Sequence, residues 1–412
     1  MSRFSEEFIR AIPKTDLHLH LDGSLRIETL IDLARDAGVA LPADSVQGLR
    51  DTVFKDQYAS LEEYLRGFAL TTSVMQTDAA LFRIAYELMQ DNAAEGVRYI
   101  EVRFAPQLLM SEQMSYGQVM DAVDRGLRTA RDELNAQLAE DEPEYDYGII
   151  VCAMRFCLPV FSPYYAQFWK DNADLPDTQI IQKASLELAR ATAELRAGRR
   201  EDSRTGAAIQ VVAFDIAGAE NGFPASQFTE AYALAGRAFL GKTVHAGEAY
   251  GAESIYQAVT RLHAERIGHG LFLFDATRLQ DERIDDREAY LERLIDFIAK
   301  RRITLEVCLS SNLQTTPSLG DLSSHPFGTM LARGLSVTLC TDNRLVSNTT
   351  VSKEYQLALT HFPLSADGLK ALTMNGFERA FHFRPYAEKM AYLNRVSAYY
   401  DAIARRFGVH SA

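Results

Sequence analysis

Cysteine is scarce in this chain, four residues in 412, and no two of them form a Cys-x-x-Cys pair. That excludes a thiolate zinc knuckle and a redox dithiol. Cys152, Cys308 and Cys340 lie in apolar strand-like runs and Cys157 follows closely on the first, so reduced core cysteines in a reducing compartment are expected. Long apolar runs are missing as well. No segment approaches the ~20 residues of a membrane span, and MSRFSEEFIRAIPKTD holds no stretch of signal-peptide length, so a cytoplasmic location is expected. Basic residues are outnumbered 43 to 56, net −13. Such a surface repels phosphate backbones and anionic lipid, which argues against nucleic acid or membrane as a partner and leaves a small neutral or cationic molecule as the easier one. There is no repeat, low-complexity tract or linker, and 47% hydrophobic residues suffice for a large core, so residues 1–412 read as one domain.

What the chain does have is eight short apolar runs with helical segments between them. They lie around Asp16–Leu21, Arg98–Phe104, Gly148–Met154, Ile209–Asp215, Lys242–His245, Arg266–Ile267, Thr304–Leu309 and Ser336–Cys340. Parallel strands alternating with crossover helices make this pattern, and eight units predict an α/β fold of the (β/α)8 TIM-barrel type. Residues 27–96 form a helical insertion after the first strand. In SLEEYLRGF, Leu61, Tyr64, Leu65 and Phe68 recur at helical spacing. Such a stripe ordinarily packs in a core; after the first barrel strand it can also be a lid, since that end carries the chemistry. AEDEPEYDY at 139–147 reads as a solvated turn. The proline- and aromatic-rich stretch 158–179, with the single Trp169, caps a pocket or meets a partner subunit, a homodimer being one such arrangement. The charged run 280–293, followed by Leu294, Ile295 and Phe297, reads as a solvated loop and an amphipathic helix, and 385–407 as a further amphipathic helix at the C-terminal side of the barrel.

The stretch TDLHLHLDGSL, 15–25, is the centre of the pattern. His18 and His20 are two apart, so on a strand they share one face, with Leu17, Leu19 and Leu21 on the other and Asp22-Gly23 as a turn. Nine histidines give on the order of 0.2 chance pairs at this spacing, so the pair alone could be ordinary packing. Four further polar groups end predicted strands: Asp215 with Gly218 just beyond (VVAFDIAGAE), His245 with Glu248 (KTVHAGE), His269 (RIGHG), and Asp342-Asn343 (VTLCTDN). A lone aspartate can cap a helix and a lone histidine can pack. Imidazoles and a carboxylate at the tips of strands one, five, six and eight, on the catalytic face of such a barrel, are explained by neither. Three histidines and one aspartate are a donor set suited to Zn2+, which lowers the pKa of a water to ~7.

TDLHLHLDG, VHAGE, RIGHG and TDN, in this order and spacing, resemble the adenosine deaminase family of the amidohydrolase superfamily, from Pro13 to about Phe381. The resemblance implies hydrolysis of adenosine, with 2′-deoxyadenosine, to inosine and ammonia in purine salvage, using one zinc ion per subunit. It implies His18, His20, His245 and Asp342 as metal ligands. His269 would orient and help deprotonate the water, and Glu248 would pass a proton to purine N1, which requires a carboxyl pKa raised by burial. Gly218 would offer its N–H to N3, and Asp22 would bind the ribose 5′ hydroxyl. His20, Leu65 and Phe68 would line the substrate site. Many members carry two aspartates where this chain has Asp342-Asn343; an asparagine amide can still donate to N7. Arg103 and Arg155 also match family positions, where orienting carboxylates is the expected role. The cysteine-ligated deaminase signature is absent.

The rival substrates are adenine, aminodeoxyfutalosine and AMP, the last disfavoured because Asp22 would face its phosphate. A two-metal hydrolase of the superfamily would carry a lysine on the fourth strand, and VVAFDIAG has none. A silent binding protein would have lost a ligand or the proton donor, and none is lost.

Overall fold

The computed structural model describes residues 4–59, 61–198 and 208–409, apart from the side chains of residues 61 and 62, so Leu61 of the predicted stripe lies outside the described side chains. The eight runs form strands β1 Lys14–His20, β2 Val97–Phe104, β3 Asp146–Met154, β4 Val211–Ala217, β5 Gly241–Ala246, β6 Arg266–His269, β7 Thr304–Val307 and β8 Ser336–Leu339. Each lies within two residues of its predicted ends. β7 differs most in kind: the apolar run Thr304–Leu309 leaves the strand at Val307, because Leu309 already starts a helix to Thr315.

Neighbouring strands pair in parallel in the order β1 to β8. The ring closes just past β8, where the Asp342 N–H donates to His18 O and the His20 N–H donates to Asp342 O, both at 2.8 Å. Every crossover carries at least one helix, so the predicted (β/α)8 barrel is the fold. Pairing of β1 with β2 shifts register between Asp16 and Leu19, around His18. Such irregularities re-aim side chains beside active sites.

Between β1 and β2 run four helices, Ile27–Ala37, Val46–Thr52, Leu61–Val74 and Asp78–Ala93. The last packs along β2 and the helix Tyr116–Asn135 that follows it, so it is a crossover of the barrel itself, and the first three are the inserted part. Helices Ala366–Arg379 and Tyr386–Arg406 follow the barrel. Trp169, on helix Pro163–Asp171, is half-buried against the main core. Among the described residues no helix is long and apolar enough to cross a membrane.

Apolar side chains fill the layer between strands and helices, whereas the bore of the barrel is charged. Arg103 on β2 donates to Asp215 Oδ2 on β4 and to Glu306 Oε2 on β7, both at 2.9 Å, and to Leu17 O at 2.5 Å. Arg266 on β6 donates to Glu306 Oε1 at 2.7 Å and to Glu101 on β2. All five side chains are 1% exposed or less. Burying charges this deeply is tolerated only where each meets its opposite, and here each does.

Candidate active site

At the C-terminal mouth of the barrel His18, His20, His245 and Asp342 each turn one ligand atom inward, and these four atoms lie within 4.8 Å of one another. Asp342 Oδ1 is 3.4 Å from His18 Nε2 and 3.5 Å from His20 Nε2, and the Nε2 atoms of His20 and His245 are 3.1 Å apart. His18 Nε2 is buried without a hydrogen-bond partner. Behind the cluster, His18 Nδ1–H donates to Glu306 Oε2 at 2.8 Å, and His245 Nδ1 lies 2.9 Å from Asp215 Oδ2 at a bent angle. A carboxylate behind Nδ1 holds the imidazole proton there and leaves Nε2 as a lone pair. Two such nitrogens, with His20 Nε2 and a carboxylate oxygen converging on the same point, fit a tetrahedral divalent metal. Against the pull of burial, the imidazoles of His18, His269 and His20 hold Asp342 well below the usual carboxylate range. Burial drives His20 and His245 the other way, toward the neutral form that ligates.

Two of the residues that aim side chains into the mouth sit in the left-handed region, His269 at φ 67° and Asp342 at φ 61°. Each such conformation costs about 1–3 kcal/mol for a residue with a side chain and collects at functional sites. The glycine before His269 has a separate reason: a Cβ on Gly268 would come within 2.8 Å of His18 Cε1, so only glycine lets that ring lie across β6.

Glu248 stands beside the cluster, its Oε2 3.6 Å from His269 Nε2. Burial, with the charges of Asp342 and Glu220 behind it, pushes its carboxyl up to about 8. The loop that carries Glu248 is held by Glu220, which no motif singled out. Its carboxylate accepts the backbone N–H groups of Gly247, Glu248, Ala249 and Tyr250 at 2.7 to 3.1 Å. On the other side, Ser311 donates to Asp342 Oδ2 at 2.6 Å, and Asn312 Nδ2 donates to His269 Nδ1 at 3.0 Å.

Of the remaining predicted positions, Asp22, Gly218 and Asn343 follow β1, β4 and β8 at this end of the barrel. Asp22 is buried, its Oδ1 4.0 Å from His20 Nδ1 and without a hydrogen-bond partner, and burial lifts its carboxyl to about 7. Gly218 follows β4 at φ 94°, a conformation suited to glycine. Asn343 donates to Tyr64 Oη at 2.8 Å, and Tyr64 in turn bonds Ser347 at 2.7 Å. Leu65 and Phe68 are half-buried against the main core; it is Tyr64 of the same stripe whose hydroxyl reaches the site. Arg103 meets carboxylates as expected. Arg155 does not: it donates to the carbonyls of Phe223 and His245, both at 2.5 Å, because no carboxylate lies within reach of its buried guanidinium among the described hydrogen bonds.

Fold and site together define a (β/α)8 barrel with a three-histidine, one-aspartate cluster that could hold a metal ion at its C-terminal mouth. The family described as Adenosine deaminase matches residues 13–160 and 180–399. "Adenosine deaminase" of Mycobacterium avium is 35% identical over 393 residues, 95% of each chain, and "Adenosine deaminase 1" of Streptomyces coelicolor is 34% identical over 394 residues, 95% of this chain and 88% of that one. The crystal structure of the arabidopsis N6-mAMP deaminase superposes with a TM-score of 0.71 at 25% identity, covering 95% of this chain and 99% of that one. The chain belongs to the adenosine deaminase family and is an adenosine-deaminase-type aminohydrolase.

Proposed function

We propose that this enzyme hydrolyses adenosine, and 2′-deoxyadenosine, to inosine and ammonia in purine salvage, as a single-domain cytoplasmic protein with one zinc ion per subunit on His18, His20, His245 and Asp342. The observation that carries the reading is the convergence of those four ligand atoms within 4.8 Å, beside the Glu248 carboxyl, which burial pushes up to about 8. When bound, zinc supplies a water ionised at neutral pH, which is what addition to C6 requires.

The chain's own residues do the rest. Glu248, protonated below about 8, gives its proton to N1, so that C6 becomes electrophilic and the ring nitrogen absorbs the developing charge. His269, 3.6 Å from that carboxyl, orients the attacking water. Glu220 keeps the Glu248 loop in place through four N–H groups. Asp22, buried and unpartnered, takes the ribose 5′ hydroxyl, and the same carboxyl repels a 5′ phosphate. Gly218 presents its N–H to N3 and Asn343 its second amide hydrogen to N7, while Leu65 and Phe68 cover the base from the inserted helix, which serves as the lid.

Zinc-loaded protein is assayed against adenosine, deoxyadenosine, adenine, AMP and aminodeoxyfutalosine by loss of the 6-amino chromophore. Preference for the two nucleosides is expected; faster turnover of adenine or aminodeoxyfutalosine would reassign the substrate, and no turnover of any would remove the function. Near-full activity in Glu248→Gln would exclude that residue as the acid.

A further inference from the structure

We infer that a relay of hydrogen bonds from the Phe327 amide through His325 and Asn312 fixes which nitrogen of His269 bears its proton, so that this imidazole meets the reaction as an Nε2–H donor. Asn312 and His325 are then positioning residues. The inference rests on the proposed function for the role of His269, but not for the relay itself.

The order of donors follows from one group whose role cannot be reversed. Phe327 opens the helix Phe327–Ala332, where first-turn N–H groups have no helical acceptor, and its N–H donates to His325 Nδ1 at 3.1 Å. A backbone amide only donates, so Nδ1 of His325 is a lone pair. His325 is 4% exposed and burial pushes it down to about 3, so it is neutral and its one proton is on Nε2. That nitrogen lies 3.2 Å from Asn312 Oδ1. Turning the amide over would set NH2 against N–H, donor against donor, in a residue that is wholly buried. The carboxamide orientation is therefore forced, and its Nδ2 donates to His269 Nδ1 at 3.0 Å. With Nδ1 an acceptor, a neutral His269 carries its hydrogen on Nε2, the nitrogen 3.6 Å from Glu248 Oε2. In the resting enzyme it therefore offers a hydrogen to an oxygen lone pair, the attacking water's or the carboxyl's. It can take a proton from water only after handing that hydrogen on.

The test uses zinc-loaded protein labelled with 15N at its nine histidines, the His269 signals being assigned by their loss in His269→Gln. The native spectrum should show a bare Nδ1 and a protonated Nε2. Asn312→Asp presents only acceptors, so His269 Nδ1 should gain a proton. kcat should then fall by about 10- to 100-fold, the usual cost of losing a partner behind an active-site imidazole, with KM changed less than about twofold. His325→Gln, whose amide still donates, should keep the native pattern and rescue what His325→Leu loses. A native His269 protonated on Nδ1, or an unchanged pattern in Asn312→Asp, overturns the relay. Should Asn312→Asp fail to fold, the native spectrum and the His325→Gln and His325→Leu pair decide. Absence of turnover in the native protein would sink the proposed function and leave the tautomer reading intact.

Discussion

The bore of this barrel and its mouth are equally buried and equally rich in charge, yet they are built on opposite rules. In the bore Arg103 and Arg266 meet Glu101, Asp215 and Glu306, and each charge has its opposite within a hydrogen bond. At the mouth His18 Nε2, Asp22 Oδ1 and Asn343 Oδ1 are buried with no hydrogen-bond partner, and like groups crowd together, two imidazole nitrogens at 3.1 Å. Unpaired buried atoms also occur elsewhere in the described residues, Arg103 Nε in the bore among them, but only at the mouth do they belong to groups that converge on one point. Charges of opposite sign meet in the bore, whereas like groups converge at the mouth, and that separates the two regions more sharply than residue type can.

The comparison can be broken most directly by exchanging the consequences. Asp342→Ala should lower kcat/KM by about 10^4-fold, some 5.5 kcal/mol of transition-state stabilisation, read by steady-state kinetics. In Arg103→Met the fold should suffer first: Asp215 loses its arginine and Glu306 one of its two, and about 3–5 kcal/mol of stability should vanish in urea titration. If Arg103→Met unfolds no earlier than the parent, the bore is not the scaffold. Glu220→Gln tests the boundary between the regions, since an amide turns its NH2 on at least one of four N–H donors. A 10- to 100-fold fall in kcat, at an expected cost of about 1 kcal/mol in stability, should follow, visible by steady-state kinetics beside thermal melts.

Protonation sharpens the contrast further. His325 ordinarily titrates near 6.5 and in the fold is pushed down to about 3 by burial. The unfolded chain therefore binds a proton below 6.5 that the folded chain refuses, and the stability contributed is complete above 6.5 and lost as pH falls toward 3. Between pH 7 and 5 the parent should lose about 2 kcal/mol more than His325→Gln in paired urea titrations. The smallest effect is expected at Tyr64→Phe, which removes one hydroxyl from Asn343 and should raise KM for adenosine by a few-fold, about 0.5–1 kcal/mol. An unchanged KM would detach the inserted helix from the substrate.

Most of the scaffold was legible because a parallel strand packed under helices keeps an apolar face, and all eight carry one, although KTDLHLH and VRYIEVRF alternate it with polar groups. The ligand group was legible for a related reason: histidine is rare here and each one that matters stands at a strand end or two residues apart on one face. Glu306 escaped because a single acid in TLEV looks like a tolerated exception, and its partners Arg103 and Arg266 come from other strands. Asn312 and His325 escaped because no period links them; they meet only after the chain leaves β7 and folds back ahead of helix Phe327–Ala332. Tyr64 was on the page as one of four apolar stripe residues, but a stripe reports its hydrocarbon and not where a hydroxyl ends.

Asp342 is also the stitch between the last strand and the first, its amide and carbonyl bonded to His18 and His20. A nascent chain emerging N-terminus first can offer a pair of imidazoles early and a third after the fifth strand, but the oxygen donor arrives only when the ring is sewn shut. The residue that closes the ring is thus one of the four that converge at the mouth, so no seven-stranded intermediate brings all four together.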